Sequence, residues 1–344
     1  MSQSKYIRKV DQLIDKRYIS EFKKNEIDAV AEKFQISISP HLQSLINEPE
    51  VQKQYIPSAN ENNILKEELR DPIGDEQFTP VKGITHRYPD RVLFKPLHTC
   101  NVYCRFCFRR EKVGQSDEIL SSKEFDQAFE YIRSKKEIWE VILTGGDPLT
   151  LSASKLSKII KLLEEIDHVK IIRIHTRLVL ASPEKIDSKL LSSLQSSKAV
   201  YMIIHCNSHK ELSTEVCNAI QRINQLGIPL MSQSVLLKNI NDSADKLEKL
   251  FRRLVELKVR PYYLHHPDLA QGTSHFRVSL ENGRKITSTL RGRLSGIAHP
   301  LYVLDVPGGL GKVPAGREFV SLEANNKWKI RTIHDTFTEY QDYL

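Results

Sequence analysis

From residue 91 onward, short apolar runs alternate with longer stretches in which Leu and Ile recur every three or four residues. The runs are RVLFKPL from Arg91, EVILTG from Glu140, KIIRIHT from Lys170, AVYMIIHC from Ala199, PLMSQSVLL from Pro229, VRPYYLHH from Val259 and PLYVLDVPG from Pro300. Their length and nearly continuous hydrophobicity predict strands buried on both faces. Between them SASKLSKIIKLLEEI, STEVCNAIQRINQLG and SADKLEKLFRRLVEL have the spacing of amphipathic helices, and Gly227 with Pro229 stops the second. From Glu140 the strand starts recur at roughly 30-residue intervals, widening to about 40 at the last, and a strand-plus-crossover-helix unit needs that much chain. The pattern predicts an α/β fold, a parallel sheet covered by helices, and leaves open whether the sheet closes.

The flanks differ. Residues 1–80 are polar with helical periodicity, as in YISEFKKNEIDAVAEKF and HLQSLINEPEVQKQ, and lead into an irregular connection, DPIGDEQFTPVKGITHRYPD. The tail, residues 313–344, carries two strand-like runs around ANNK and predicts a terminal hairpin.

Polar residues fall in a telling place. His175, His205, Gln233, the group from His265 to Asp268, and Asp305 all lie at or just beyond the C-terminal end of a predicted strand. In βα architectures that edge carries the active site, so these residues predict one shared cleft, with His175 its weakest member.

Composition narrows the class. Among 344 residues, 51 basic against 43 acidic side chains leave a net charge of +8, much of it spread along helical faces such as KIIKLLEEIDHVK. No nucleic-acid-binding module and no basic run interleaved with aromatics stands out, so a nucleic-acid partner is disfavoured. The N-terminus MSQSKYIRKVDQ lacks the apolar core of a secretory signal, and no apolar stretch is long enough for a membrane span. Five cysteines, an odd number, fit a reducing cytoplasm better than a disulfide scaffold.

Three of those five, Cys100, Cys104 and Cys107, stand within CNVYCRFC. Thiolates at that density hold a soft metal centre. Cys206 and Cys217 form no CxxC pair and read as small buried residues, so a closed four-cysteine zinc site is not supplied. A cubane iron–sulfur cluster usually takes four cysteines; three would leave one iron with an exchangeable position.

CxxxCxxC after a predicted strand, with Phe106 just before the last cysteine, resembles the signature loop of the radical S-adenosylmethionine enzymes. That resemblance implies a partial (β/α)6 barrel over residues 81–312. It also implies a 4Fe–4S cluster on Cys100, Cys104 and Cys107, whose open iron is chelated by S-adenosylmethionine, and an external one-electron reductant. TGGDP at the next strand end resembles the segment facing that cofactor, which assigns Phe106, Gly145, Gly146 and Asp147 to its pocket. CRFCFRR, HRYPDRVLFK, LTGGDPL, QSVLL, YYLHHPDLAQGTSHFR and DVPGGLGK together resemble the lysine 2,3-aminomutases, from about residue 70 to 320.

The resemblance implies a second cofactor, pyridoxal phosphate, joined as an imine to Lys312 among Gly308, Gly309 and Gly311. Arg87 and Arg91 match residues facing its phosphate, and His205 and Gln233 match residues of its pocket. Arg109 matches the arginine that holds the substrate carboxylate, and Asp268 and Asp305 match the pair that holds the substrate's side-chain ammonium. The implied reaction moves the α-amino group of L-lysine to C3, giving β-lysine.

Three alternatives stand beside it: a β-lysine-forming enzyme for elongation factor P, an aminomutase of another amino acid, and a basic iron–sulfur or zinc protein that binds nucleic acid and has no mutase activity. The length suits the elongation factor branch, whereas DVPGGLGK and HHPD look closer to the larger mutases. The chain has no cysteine after Cys217, so no structural zinc is expected. A homo-oligomer is left open.

Overall fold

In the computed structural model, which describes residues 5–114, 119–323, 327–333 and 335–342, the predicted strands form one nine-stranded sheet with neighbours in chain order. Its strands are β1 (Ile84–Tyr88), β2 (Arg91–Leu97), β3 (Glu140–Gly145), β4 (Ile171–Thr176), β5 (Ala199–His205), β6 (Leu230–Val235), β7 (Val259–His265), β8 (Leu301–Val306) and β9 (Gly311–Pro314). Strands β2 to β8 run parallel, while β1 and β9 pair antiparallel at the two edges. All seven predicted strands are present. The two edges escaped prediction because β1 reads ITHRY, largely polar, and β9 is the four-residue GKVP directly after a glycine turn.

Among the described residues, four short helices precede the sheet: α1 (Val10–Asp15), α2 (Lys24–Lys33), α3 (Pro40–Ser44) and α4 (Pro49–Tyr55). Then come α5 (Ser122–Ser134), α6 (Ala153–Glu164), α7 (Leu178–Ala181), α8 (Ser188–Ser192), α9 (Thr214–Gln225), α10 (Ala244–Glu256) and α11 (Leu280–Arg291). The three predicted crossover helices are α6, α9 and α10. Each long crossover helix starts at a serine, Ser121, Ser152, Ser213, Ser243 or Ser279, whose hydroxyl accepts a backbone N–H of the first turn. Such a cap contributes about 1 kcal/mol and marks where strand gives way to helix.

The strands alternate more sharply than their sequences suggest. On β4, Ile172 and Ile174 join the core under the helices, and Arg173 and His175 face inward. On β5, Val200, Met202 and Ile204 face the helices while Tyr201 and His205 face inward. The apolar layer therefore lies outside the sheet, and a polar cavity lies within its curve.

That curve nearly closes. The Tyr88 hydroxyl on β1 accepts a hydrogen bond from the Lys312 backbone N–H on β9 at 2.9 Å. A side chain thus bridges the edges where a closed barrel would have a ladder. At Gly311, φ is +98°, and an added Cβ would lie 3.1 Å from that hydroxyl. The fold is a near-closed partial barrel of six βα units ending on a seventh parallel strand.

The N-terminal helices form their own core, in which Ile7, Leu13, Ile38, Leu42 and Tyr55 pack against Val102 of the cysteine loop and Ala181 of α7. The tail departs from expectation: β10 (Val320–Leu322), β11 (Lys327–Arg331) and β12 (Phe337–Gln341) make a three-stranded antiparallel sheet, not one hairpin. TFTEY supplies the third strand. The expected ANNK turn includes residues 324–326, which lie outside the described residues. No described helix is long and apolar enough to cross a membrane.

Candidate active site

The residues assigned from the sequence to the cysteine loop, the cofactor pockets and the substrate line one cavity of about 820 Å³ inside the barrel, whereas His266 bonds instead to the Tyr302 hydroxyl. Cys100, Cys104, Cys107 and Phe106 reach it from the loop after β2, and Gly145, Gly146 and Asp147 from the end of β3. His175, His205 and Gln233 come from β4, β5 and β6. Asp268 follows β7, Asp305 lies on β8 and Lys312 on β9, with Arg87, Arg91 and Arg109 along the near wall.

At the cysteine end the three thiols are unpaired, and burial pushes all of them up, Cys104 to about 12. Half-buried thiols raised in this way ionise most readily against a strong local cation, which a metal centre supplies. Among the described residues no three His, Cys, Asp or Glu side chains are close enough to hold a single ion. A polynuclear cluster makes a different demand, one thiol for each of three irons. The donor set therefore fits an iron–sulfur cluster.

Charges far from the motif hold the loop in place. Glu61 is fully buried and accepts from Arg105 Nε at 3.1 Å and Nη2 at 2.6 Å, and it pairs with Arg110 as well. Burial alone would push its carboxyl up, but the two guanidiniums hold it below the ordinary range. Backbone bonds from Tyr103 to Ser37 and from Arg105 to Gln54 add to the brace. Arg177, just past β4, donates to Tyr55 and Gln54 at 2.6 Å each, pairs with Glu211 and lies 5.5 Å over the Phe106 ring. None of these partners was foreseen. The Ser58–Glu61 capping box was visible in SANE, but a capping glutamate normally stays at the surface.

The glycines after β3 are dictated by close approach. A Cβ on Gly146 would lie 2.3 Å from the Thr99 carbonyl oxygen, and one on Gly145 2.5 Å from that of Leu97. The Asp147 carboxylate is committed within the protein. It accepts from the Thr176 hydroxyl at 2.8 Å and from the backbone N–H groups of Arg177, Leu178 and Leu149. It thus ties the ends of β3 and β4 together beside the cysteine loop.

The other group of cavity residues is ionic. Asp305 forms an ion pair with Lys312 Nζ and lies 3.2 Å from His265 Nδ1. Burial opposes its ionisation, yet the His265 hydrogen bond and the Lys312 charge hold it down at about 2. Asp268 has no such partners. Its Oδ1 is sealed from solvent without a hydrogen bond, and burial together with the charge of Asp305 pushes its carboxyl up to about 7. In the middle, His175 and His205 meet edge to face with ring centroids 5.6 Å apart; burial keeps both neutral, His205 at about 3. Their Nε2 atoms are buried without partners. Unfilled donors and acceptors around a cavity suit a polar ligand better than an apolar one.

The arginines are not free. Arg109 donates through Nε at 3.1 Å and Nη2 at 2.8 Å to Asp75, and Arg87 reaches the other oxygen of that carboxylate at 3.3 Å. Arg91 pairs with Asp90 at 2.6 Å and stacks on Tyr88. Asp75 lies in the connection that the sequence marked only as irregular.

Comparison with known proteins gives this geometry a context. The family model of the radical SAM superfamily matches residues 94–254. The chain is 38% identical over 334 residues to an L-lysine 2,3-aminomutase of Clostridium subterminale, covering 95% of this chain and 80% of that one. It is 39% identical over 312 residues to an L-lysine 2,3-aminomutase of Acetoanaerobium sticklandii, covering 89% and 75%. It is also 33% identical over 343 residues to a glutamate 2,3-aminomutase of Clostridioides difficile, covering 98% and 81%. Such kinship makes the protein an isomerase-type radical enzyme and implies use of S-adenosylmethionine and an iron–sulfur centre. With the thiols, glycine turn and ionic strand ends gathered in one barrel, the chain belongs to the lysine 2,3-aminomutase family of the radical SAM superfamily.

Proposed function

We propose that the protein is an L-lysine 2,3-aminomutase that forms β-lysine with pyridoxal phosphate bound at Lys312. The observation that carries this reading is the buried, partnerless Oδ1 of Asp268 beside Asp305, whose ammonium partner is Lys312 itself. Were Lys312 Nζ committed to the cofactor, Asp305 would keep only its contact with His265, and two carboxyl groups would face one cavity without a cation. A side-chain ammonium offsets that repulsion, whereas the side chain of glutamate would add a third carboxylate.

When bound, pyridoxal phosphate supplies an electron-delocalising carrier for the migrating amino group, and S-adenosylmethionine with the cluster supplies the radical. The chain's own residues do the rest. Gly308 and Gly309, both at positive φ, let the backbone turn so that Lys312 enters the cavity from the barrel's edge. Arg87, with its Nε buried and unpartnered, and Arg91 offer donors to the cofactor phosphate. Arg109 retains Nη1 for the substrate carboxylate. His205 and Gln233, neighbours in register on β5 and β6, line the space for the ring. Cys100, Cys104 and Cys107 hold the cluster, and the turn through Gly145, Gly146 and Asp147 forms the wall beside S-adenosylmethionine. Residues 81–312 are then the catalytic unit, and residues 1–80 are its brace.

The test is anaerobic incubation of cluster-reconstituted protein with both cofactors, a one-electron reductant and either L-lysine or L-glutamate, followed by product identification. β-Lysine formation supports the reading. Turnover of glutamate alone would transfer the function to the other relative, and turnover of neither would sink it.

A further inference from the structure

The connection between residues 71 and 79 does more than join the N-terminal helices to β1. Asp71 accepts from the backbone N–H groups of Asp75 at 2.9 Å and Glu76 at 2.8 Å, closing a tight turn that points Asp75 inward. The turn packs across the seam of the barrel, where the Gln77 amide donates to the Gly308 carbonyl. A Cβ on Gly309 would lie 2.5 Å from the Phe78 ring, and one on Gly74 2.7 Å from the Gly309 nitrogen. These residues form a strap that touches the glycine loop before Lys312 on one side and two arginines on the other.

Asp75 is the strap's inward contact. One carboxylate oxygen accepts from Arg87, and the other accepts twice from Arg109, with Lys95 Nζ at 3.6 Å. All four side chains are largely buried. A guanidinium on a long stem loses orientation unless something holds its fork, and a carboxylate is the natural clamp. The clamp is partial on both sides. Arg87 also gives Nη2 to the Ile73 carbonyl and keeps Nη1 beside its buried Nε, and Arg109 keeps Nη1.

We propose that Asp75 is a positioning residue that fixes Arg87 and Arg109 with their remaining N–H groups aimed into the cavity, so that cofactor phosphate and substrate carboxylate are received at a set spacing. This rests on the roles proposed above for the two arginines. Three cations around one carboxylate leave a net charge of two, and that surplus suits anions. Removing Asp75 and Lys95 together leaves the two arginines and the same net charge, so a paired variant removes the clamp without altering the electrostatic balance.

The experiment compares wild type, Asp75→Asn/Lys95→Met and Asp75→Glu in cluster-reconstituted protein without reductant. Pyridoxal phosphate is titrated by its absorbance, and L-lysine by the change it causes in that absorbance, with thermal unfolding followed alongside. Loss of a charge-assisted clamp predicts about tenfold weaker binding of both ligands to the folded paired variant. It predicts a smaller loss for Asp75→Glu, which keeps the charge on an arm one methylene longer. A paired variant that binds both ligands within about twofold of wild type overturns the proposal, because charge alone then suffices. A role confined to stability would lower the unfolding temperature and leave both affinities unchanged, which also overturns it. Should the paired variant fail to fold, Asp75→Glu decides in the same way, unchanged lysine affinity being the contrary result. Wild-type protein that binds neither ligand sinks the functional reading itself, an outcome distinct from wild-type binding with unaffected variants.

Discussion

The two ends of the cavity are built on opposite plans. At the cysteine end the reactive groups are contiguous in sequence, and the surrounding charges are paired: Glu61 between Arg105 and Arg110, which leaves one buried Arg110 Nε over, Asp147 among backbone N–H groups, Arg177 within a ring of acceptors. At the other end Asp268, Asp305 and Lys312 come from separate strand ends, and a carboxylate oxygen is left unsatisfied. The first end is a finished structure that holds a cofactor. The second leaves Asp268 without a partner, and in the proposed reading a ligand's cation fills that place. Mutations at the first should therefore register as stability, and mutations at the second as affinity and specificity.

The strongest break in that contrast is Glu61→Gln. It strands Arg105 and Arg110 in the interior, which should destabilise the chain by about 3–5 kcal/mol in chemical unfolding and cut the iron bound after reconstitution. Next in size, Lys312→Ala should abolish borohydride-trapped attachment of pyridoxal phosphate, read by peptide mass, while bound iron stays at the wild-type level. Asp268→Asn should weaken lysine binding by about tenfold or more with no loss of thermal stability, since the carboxylate it replaces satisfies nothing in the folded chain. Loss of stability comparable to that of Glu61→Gln would erase the distinction between the ends.

Titration sharpens the same point. The Asp268 carboxyl is pushed up to about 7, and only its ionised form attracts an ammonium. Lysine affinity should therefore fall as the pH drops below 7, by up to about tenfold per unit, and level off above it, because the ligand's own ammonium stays charged to about pH 10. In Asp268→Asn the slope should vanish. The smallest effect belongs to Gly308→Ala. A Cβ there meets nothing within 4 Å, so only its φ of +77° is strained, at a cost of about 1–2 kcal/mol with cofactor attachment retained.

What the sequence made legible follows from how local each signal is. β2 to β8 were readable because an inward polar residue hardly interrupts a strand whose other face is apolar, and the cysteines were readable because a cluster loop is contiguous. β1 and β9 were not, since ITHRY and GKVP have neither length nor apolar character and pair only because the barrel brings them beside β2 and β8. Asp75, Glu61 and Arg177 escaped for a related reason. A charged residue in sequence reads as surface, and its burial depends on partners as much as 122 or 123 residues away, as Arg177 with Tyr55 and Gln54 shows. Asp268 and Asp305 were named through a family resemblance, and their unequal ionisation became visible only once their partners were known.

The central claim is that both ends act on one molecule of lysine, the cysteine end opening the reaction and the carboxylate end choosing where. L-Lysine deuterated at C3 tests it directly. Incubated with cluster-reconstituted protein, pyridoxal phosphate, S-adenosylmethionine and a reductant, it should pass deuterium to the 5′ carbon of recovered S-adenosylmethionine and yield β-lysine. Reductive cleavage of S-adenosylmethionine with no deuterium transferred and no β-lysine formed would contradict the account.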